Sequence, residues 1–223
     1  MKEYYPAEYE KVKQYVAAGR WFPAGSSVEE GDVNSPSAEA IIRELLYGND
    51  YFLREFGKAS NEYMLPDCFG FPASLPSILA HAGVLGFSTQ KLSPAWQPGA
   101  RVGGPGSIEE TPAGIPFNVG IWEGPDGNSV IAALNPGGYG SSVTYDLSKT
   151  PPPNTDPNNR NVPIDWVKRI ELNGKVSGLQ ADYRYYGTGD TGGAPNENSV
   201  KLMIPKFWLQ STALGMQTFP LQF

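Results

Sequence analysis

Cysteine and histidine are nearly missing from this chain. The single cysteine, Cys68, excludes an internal disulfide framework. The single histidine, His81, excludes a metal centre built on two imidazoles of this chain, and any Ser-His-Asp arrangement would depend on it alone. Charge is sparse and unclustered: 17 Lys and Arg stand against 23 Asp and Glu, net −6, with no basic run. Phosphate backbones are recognised by clustered positive charge, so no nucleic-acid partner is expected. No apolar stretch approaches the roughly 20 residues that a spanning helix needs, so no membrane insertion is expected either. The opening residues MKEYYPAEYEKVKQY carry no apolar signal core. The compartment stays open.

What the chain has in quantity is turn formers and aromatics. Its 223 residues include 26 Gly, 21 Pro, 12 Tyr, 10 Phe and 5 Trp. The length allows a sizeable core, and the Gly and Pro content predicts a globular α/β protein with long loops. Tyr5, Tyr9, Val12 and Val16 recur at helical spacing and predict a helix over 3–18, stopped by Gly19. Trp21–Ala24 reads as a short buried strand. Ser35-Pro36 supplies an N-cap and a first-turn proline for a second helix, with Ile41, Leu45, Leu46, Phe52 and Phe56 as its apolar stripe and Gly57 as its stop.

Glu62–Leu65 reads as a strand that runs into a loop, Pro66-Asp67-Cys68-Phe69-Gly70-Phe71, too rich in Pro and Gly to continue a sheet. A helix over Ser74–Ala82, closed by Gly83, and a strand over Val84–Thr89 complete a strand–loop–helix–strand order, that of a parallel α/β unit. Residues 93–116 form a long Gly- and Pro-rich excursion. Phe117–Glu123 and Ser129–Asn135 flank Asp126-Gly127 and predict a β-hairpin. Residues 149–163 read as a surface loop, 164–172 as a helix, and Asp182–Tyr186 as an aromatic strand entering a glycine-rich turn, Gly187–Gly193.

Two places share one layout, a short strand delivering an aspartate into a loop: Asp67 and Asp190. Paired carboxylates are what glycoside hydrolysis requires, one as nucleophile or base and one as acid. Each aspartate alone also suits a plain turn or a helix cap. Trp21, Trp96, Trp122 and Trp166 lie on or near loops, where indoles stack on sugar faces, although core packing explains any one of them. Gly187–Gly193 is no phosphate loop, because no Lys-Ser/Thr follows. Cys68 is a poor nucleophile candidate, with only His81 available as a base.

The run Met64-Leu65-Pro66-Asp67-Cys68-Phe69-Gly70-Phe71-Pro72-Ala73-Ser74-Leu75-Pro76-Ser77-Ile78-Leu79 resembles the strongest motif of the glycoside hydrolase family 38 α-mannosidases. Gly86-Phe87-Ser88-Thr89-Gln90-Lys91-Leu92 is similar to the strand that follows that motif. Gly19-Arg20-Trp21-Phe22-Pro23-Ala24-Gly25, then Glu30, Asp32, Asn34 and Pro36-Ser37, resemble the loop after the family's second strand, and Tyr47-Gly48 and Phe52 fit the helix beyond it. Tyr185–Pro195 resembles its Gly-Asp-Gly-Gly turn.

The resemblance covers residues 1–203. It implies part of a distorted parallel β/α barrel and retaining, zinc-dependent hydrolysis of terminal α-mannosides in glycans. Asp67 is then nucleophile and zinc ligand, and Asp190 is the acid/base or a sugar-positioning neighbour. Glu30, Asp32, Asn34, Trp21 and Phe69 are substrate contacts. It implies further that the other zinc ligands lie outside this sequence, that His81 is none of them, that the remainder of the catalytic domain is the missing partner, and that the chain alone is inactive. Residues 204–223, with Lys206 as their one charge, match no part of the family's pattern and read as an apolar tail. Two alternatives stay open: a metal-independent retaining glycosidase using Asp67 and Asp190, and an inactive carbohydrate-binding domain.

Overall fold

Helix α1, Pro6–Ala17, starts on a proline at its first turn, buries Tyr9 and Val16, and ends where Gly19 turns at φ +69°. This is a computed structural model, and it describes residues 1–92, 115–140, 166–190 and 192–202. These residues fall into two units. One holds Met1–Phe87 and Trp122–Val130; the other holds residues from Ser88 to Ile121 and from Ile131 onward.

In the first unit, helix α2 spans Ala38–Phe56. Its N-cap is Ser37, whose hydroxyl accepts from the Ala40 N–H at 3.2 Å, not Ser35 as the Ser-Pro step suggests. Gly57 closes the helix in the left-handed region, φ +69°, where a residue without Cβ is favoured. Ile41 and Leu45 face inward, whereas Leu46 is 59% exposed and leaves the expected stripe. Tyr9 of α1 donates its hydroxyl to Glu55 of α2 at 2.9 Å, and Lys2 and Lys13 pair with the same carboxylate. Trp21–Ala24 is not a strand; Trp21 is half exposed in irregular backbone.

Strand β1, Glu62–Met64, and strand β2, Gly86–Ser88, flank helix α3, Leu75–His81. The N–H groups of Leu85 and Gly86 both donate to Asn61 O, which sets the starts of β1 and β2 side by side. Strands β3, Val119–Glu123, and β4, Ser129–Ala133, form the expected hairpin, closed by Gly124 N to Asn128 O at 2.8 Å. The four strands stand in the order β1-β2-β4-β3 in a mixed sheet, so the class is α/β. A closed or distorted barrel is not visible in this sheet.

In the second unit, helix α4 spans Trp166–Ser177, running beyond the expected end at 172 and through Gly174. Its buried residues are polar: Arg169 and Asn173. The Asn173 amide works as a piece of strand, accepting from Val119 N at 2.9 Å and donating to Val119 O at 2.8 Å. Arg169 meets Asp182 in a two-pronged pair, with Nη2 to Oδ1 at 2.7 Å and both side chains out of water. Arg169 also donates to Asn135 O at 3.0 Å. Residues 182–186 are therefore not a strand. Asp182 is committed to Arg169, and Tyr185 is buried with its hydroxyl donating to Ser88 at 2.8 Å. The loops expected over 93–116 and 149–163, Trp96 and the tail 204–223 lie wholly or largely outside the described residues.

Breaking a buried pair strands a charge, which costs about 3–5 kcal/mol, while replacing both partners by apolar groups costs far less. Asp182→Ala is expected to lower the denaturant midpoint by that order, and Arg169→Met with Asp182→Leu to recover most of the loss. Equal losses for the single and the double variant would show that the pair is not the stabilising unit.

Candidate functional site

The site begins with a glycine inside a helix. A Cβ on Gly48 of α2 would lie 2.5 Å from Ser26 O and 2.6 Å from Ser27 C, so only glycine lets the loop over 25–28 cross the helix there. Ser26 sits at φ +59°, fully buried, and donates its hydroxyl to Glu62 O at 2.6 Å beside β1. Glu44 on α2 accepts from the N–H groups of Val28 and Glu29 at 3.1 and 3.0 Å. The chain then reaches Glu30 with its position set by three anchors.

From there two loops knit together. The Glu30 carboxylate accepts from the Asp67 N–H at 2.6 Å, and the Cys68 thiol donates to Gly31 O at 2.7 Å. Asp32 folds back on its own loop, accepting from Asn34 N at 3.0 Å and the Ser35 hydroxyl at 3.1 Å. Gly70, at φ +145°, passes so close to Asn34 that a Cβ would lie 2.4 Å from its Nδ2. Asp67 lies just past β1, with its backbone N–H held by Glu30.

Glu30, Asp32, Asp67, Cys68 and Phe69 line an open cleft of about 220 Å³. Phe69 is 83% exposed. Of the residues the sequence singles out, the structure thus brings Glu30, Asp32, Asp67 and Phe69 to one place, and Asn34 against Gly70 of the same loop. Trp21 is not among the described lining residues. Cys68, absent from the expected contacts, is a wall of the cleft. Burial pushes its thiol pKa up, and the carboxylates of Glu30, Asp32 and Asp67 add to the rise. A thiol kept protonated in this way is a poor nucleophile.

Asp190 belongs to the second unit. No strand leads to it, contrary to the shared layout expected for the two aspartates. It is exposed at φ +65°, a left-handed position that Asp tolerates in turns. The turn is pinned by Gly189, where a Cβ would collide with the Tyr139 ring. Trp122 is half-buried and packs its ring on aromatic neighbours, 5.0 Å from that of Phe87. His81 is exposed at the end of α3 and pairs with Asp126 at 2.9 Å.

The family resemblance brings zinc into question. Among the described residues no group of three or more His, Cys, Asp or Glu side chains is placed to hold a metal ion. Glu30 and Asp32 spend carboxylate oxygens on backbone N–H groups of the two loops. A four-coordinate site does not fit these residues alone.

With this geometry in place, comparison with known proteins identifies the group. The profile of the glycosyl hydrolases family 38 N-terminal domain matches residues 1–210, and the chain belongs to that family. It is similar to alpha-mannosidase G of Dictyostelium discoideum, 35% identical over 195 residues, covering 87% of this chain and 15% of that protein. It is equally similar to human alpha-mannosidase 2C1, 35% identical over 202 residues, covering 90% of this chain and 16% of that one. A crystal structure of an alpha-mannosidase from Enterococcus faecalis V583 superposes over 96% of this chain and 21% of its own, with TM-score 0.57 and 18% identity, a likeness of fold. The chain therefore spans about a sixth of the length of the curated relatives it matches. The family is the one expected from the Asp67 motif. Among the described residues no helix is long and apolar enough to cross a membrane.

Calorimetric titration of zinc into this chain is expected to show no tight one-to-one binding, since one carboxylate cannot fill the ion's coordination. A stoichiometric, high-affinity isotherm would contradict this and would bring His81 back among the donors.

Proposed function

We propose that this chain is the part of a retaining α-mannosidase that carries the nucleophile, and that the whole protein hydrolyses terminal α-mannosides in glycans on a distorted β/α barrel. The supporting observation is the cleft: three acidic residues, Glu30, Asp32 and Asp67, line it beside the exposed ring of Phe69. Carboxylates accept hydrogen bonds from sugar hydroxyls, and an aromatic face receives the apolar side of the ring. Phosphate or nucleic acid would be repelled by the same charge. Relatives bearing the name alpha-mannosidase point the same way.

In this reading Asp67 attacks the anomeric carbon. Its backbone N–H is held by Glu30, which fixes the point from which the side chain reaches the sugar. A second carboxyl protonates the departing oxygen and then takes a proton from the water that releases the sugar. We assign that part to Asp190, with sugar positioning as its other candidate role. The pair would need to stand about 5–5.5 Å apart in the working enzyme. Glu30, Asp32, Asn34, Trp21 and Phe69 are assigned to contact the sugar, and zinc has Asp67 as this chain's contribution, its other ligands coming from elsewhere in the protein.

The test uses a polypeptide of full family length carrying this segment. Asp67→Asn is expected to abolish turnover on every mannoside with an unchanged melting curve. Asp190→Asn is expected to cut activity about 10²–10⁴-fold on substrates with poor leaving groups and much less on an activated aryl mannoside, which departs without a proton. Equal losses on both substrates would leave Asp190 a positioning residue. Turnover by Asp67→Asn would remove the nucleophile assignment.

A further inference from the structure

The loop that carries Asp67 is held on one side by the Glu30 loop. Its other side meets the β3–β4 hairpin, through residues that the cleft itself does not contain. Phe71, which ends the Asp67-Cys68-Phe69-Gly70 run, sits edge-on to Trp122 of β3, with ring centroids 6.4 Å apart at 83°, and edge-on to Phe87 at 5.1 Å and 77°. The Trp122 and Phe87 rings close this trio at 5.0 Å. A second contact lies at the tip of the hairpin. Asp126 accepts from the Ser77 hydroxyl at 2.5 Å and meets His81 Nε2 at 2.9 Å, so one turn residue grips two positions one helical turn apart on α3.

The tip is also rigid in itself. Asn128 donates to Asp126 through its backbone N–H at 3.1 Å and its side chain at 2.8 Å. Gly124 has no room for a side chain, since a Cβ there would lie 2.2 Å from Ser77 Oγ and 2.9 Å from Ser77 N. The hairpin backbone thus abuts the start of α3, the element into which the Asp67 loop runs.

We propose that the β3–β4 hairpin is a strut for the Asp67 loop, with Trp122 and Asp126 as positioning residues that fix where the Asp67 carboxylate stands. Trp122 holds the loop through Phe71, and Asp126 holds the helix that follows. Neither reaches the cleft; both act through the segment between them. The catalytic meaning of the strut rests on the nucleophile reading of Asp67, but its mechanical meaning does not.

Cys68 makes the strut measurable without any activity. It is the only cysteine in the chain, it neighbours Asp67, and it is 5% exposed with its thiol bonded to Gly31 O. Cys68 lines the cleft but shows little surface to it, so a reagent such as iodoacetamide reaches it faster when the loop opens. On the full chain, well below its melting temperature, Trp122→Ala and Asp126→Ala are each expected to speed Cys68 alkylation about tenfold, as local opening becomes easier. Trp122→Phe, which keeps a ring against Phe71, is expected to return the rate to near that of the parent.

Ile41→Val, in the core of the same unit on α2, controls for general loosening. It is expected to lower the melting temperature with little change in alkylation. Rates within twofold of the parent for both alanine variants would overturn the strut, as would an equal acceleration by Ile41→Val. A fast Cys68 in a protein whose Asp67 proves chemically inert would overturn the nucleophile reading and leave the strut standing.

Discussion

Two hydrogen bonds between segments far apart in the chain hold the site together. The Glu30 carboxylate takes the Asp67 N–H, and the Cys68 thiol gives its proton to Gly31 O. Much else in the first unit serves to make that meeting possible. Gly48 clears the path for the loop across α2, Glu44 holds two of its N–H groups, and buried Ser26 ties it to the strand that delivers Asp67. A carboxylate used this way has a cost, since Glu30 and Asp67 place like charges near each other. Two charge-assisted or partly buried hydrogen bonds offset it, and an open cleft keeps the carboxylates wet.

Local grammar made much of the architecture readable before the structure. Gly57 and Gly83 end helices because only a residue free of Cβ enters the left-handed region cheaply, and both do so at φ +69° and +78°. Asp126-Gly127 makes the hairpin for the same reason, with Gly127 at φ +81°. The failures share a cause. Ser37 took the cap from Ser35, and Trp21–Ala24 and Asp182–Tyr186 are not strands, because a short apolar or aromatic run does not say whether a neighbour exists to pair with it. Leu46 looked like core by period but lies on the outer side of α2.

The second unit was the least legible part. Around α4 the buried side chains are Arg169, Asn173 and Asp182, residues that a pattern of apolar spacing assigns to the surface. Pairing, not hydrophobicity, brings them inside, and pairing depends on contacts that no short window of sequence contains. The cleft was legible in its members but not in its construction. Glu30, Asp32, Asp67 and Phe69 could be named from a motif, whereas the hydrogen bond from the Asp67 backbone to Glu30 and the burial of Cys68 needed the fold.

The claim on which this account turns is that Asp67 is the carboxylate that bonds to the sugar. The most direct measurement is mass spectrometry of a full-length family protein carrying this segment, after treatment with a mechanism-based mannosyl fluoride that traps the covalent intermediate. The account predicts a single added sugar on the peptide that contains Asp67, absent in Asp67→Asn. A label on another carboxylate, or turnover with inversion and no trapped sugar, would contradict it.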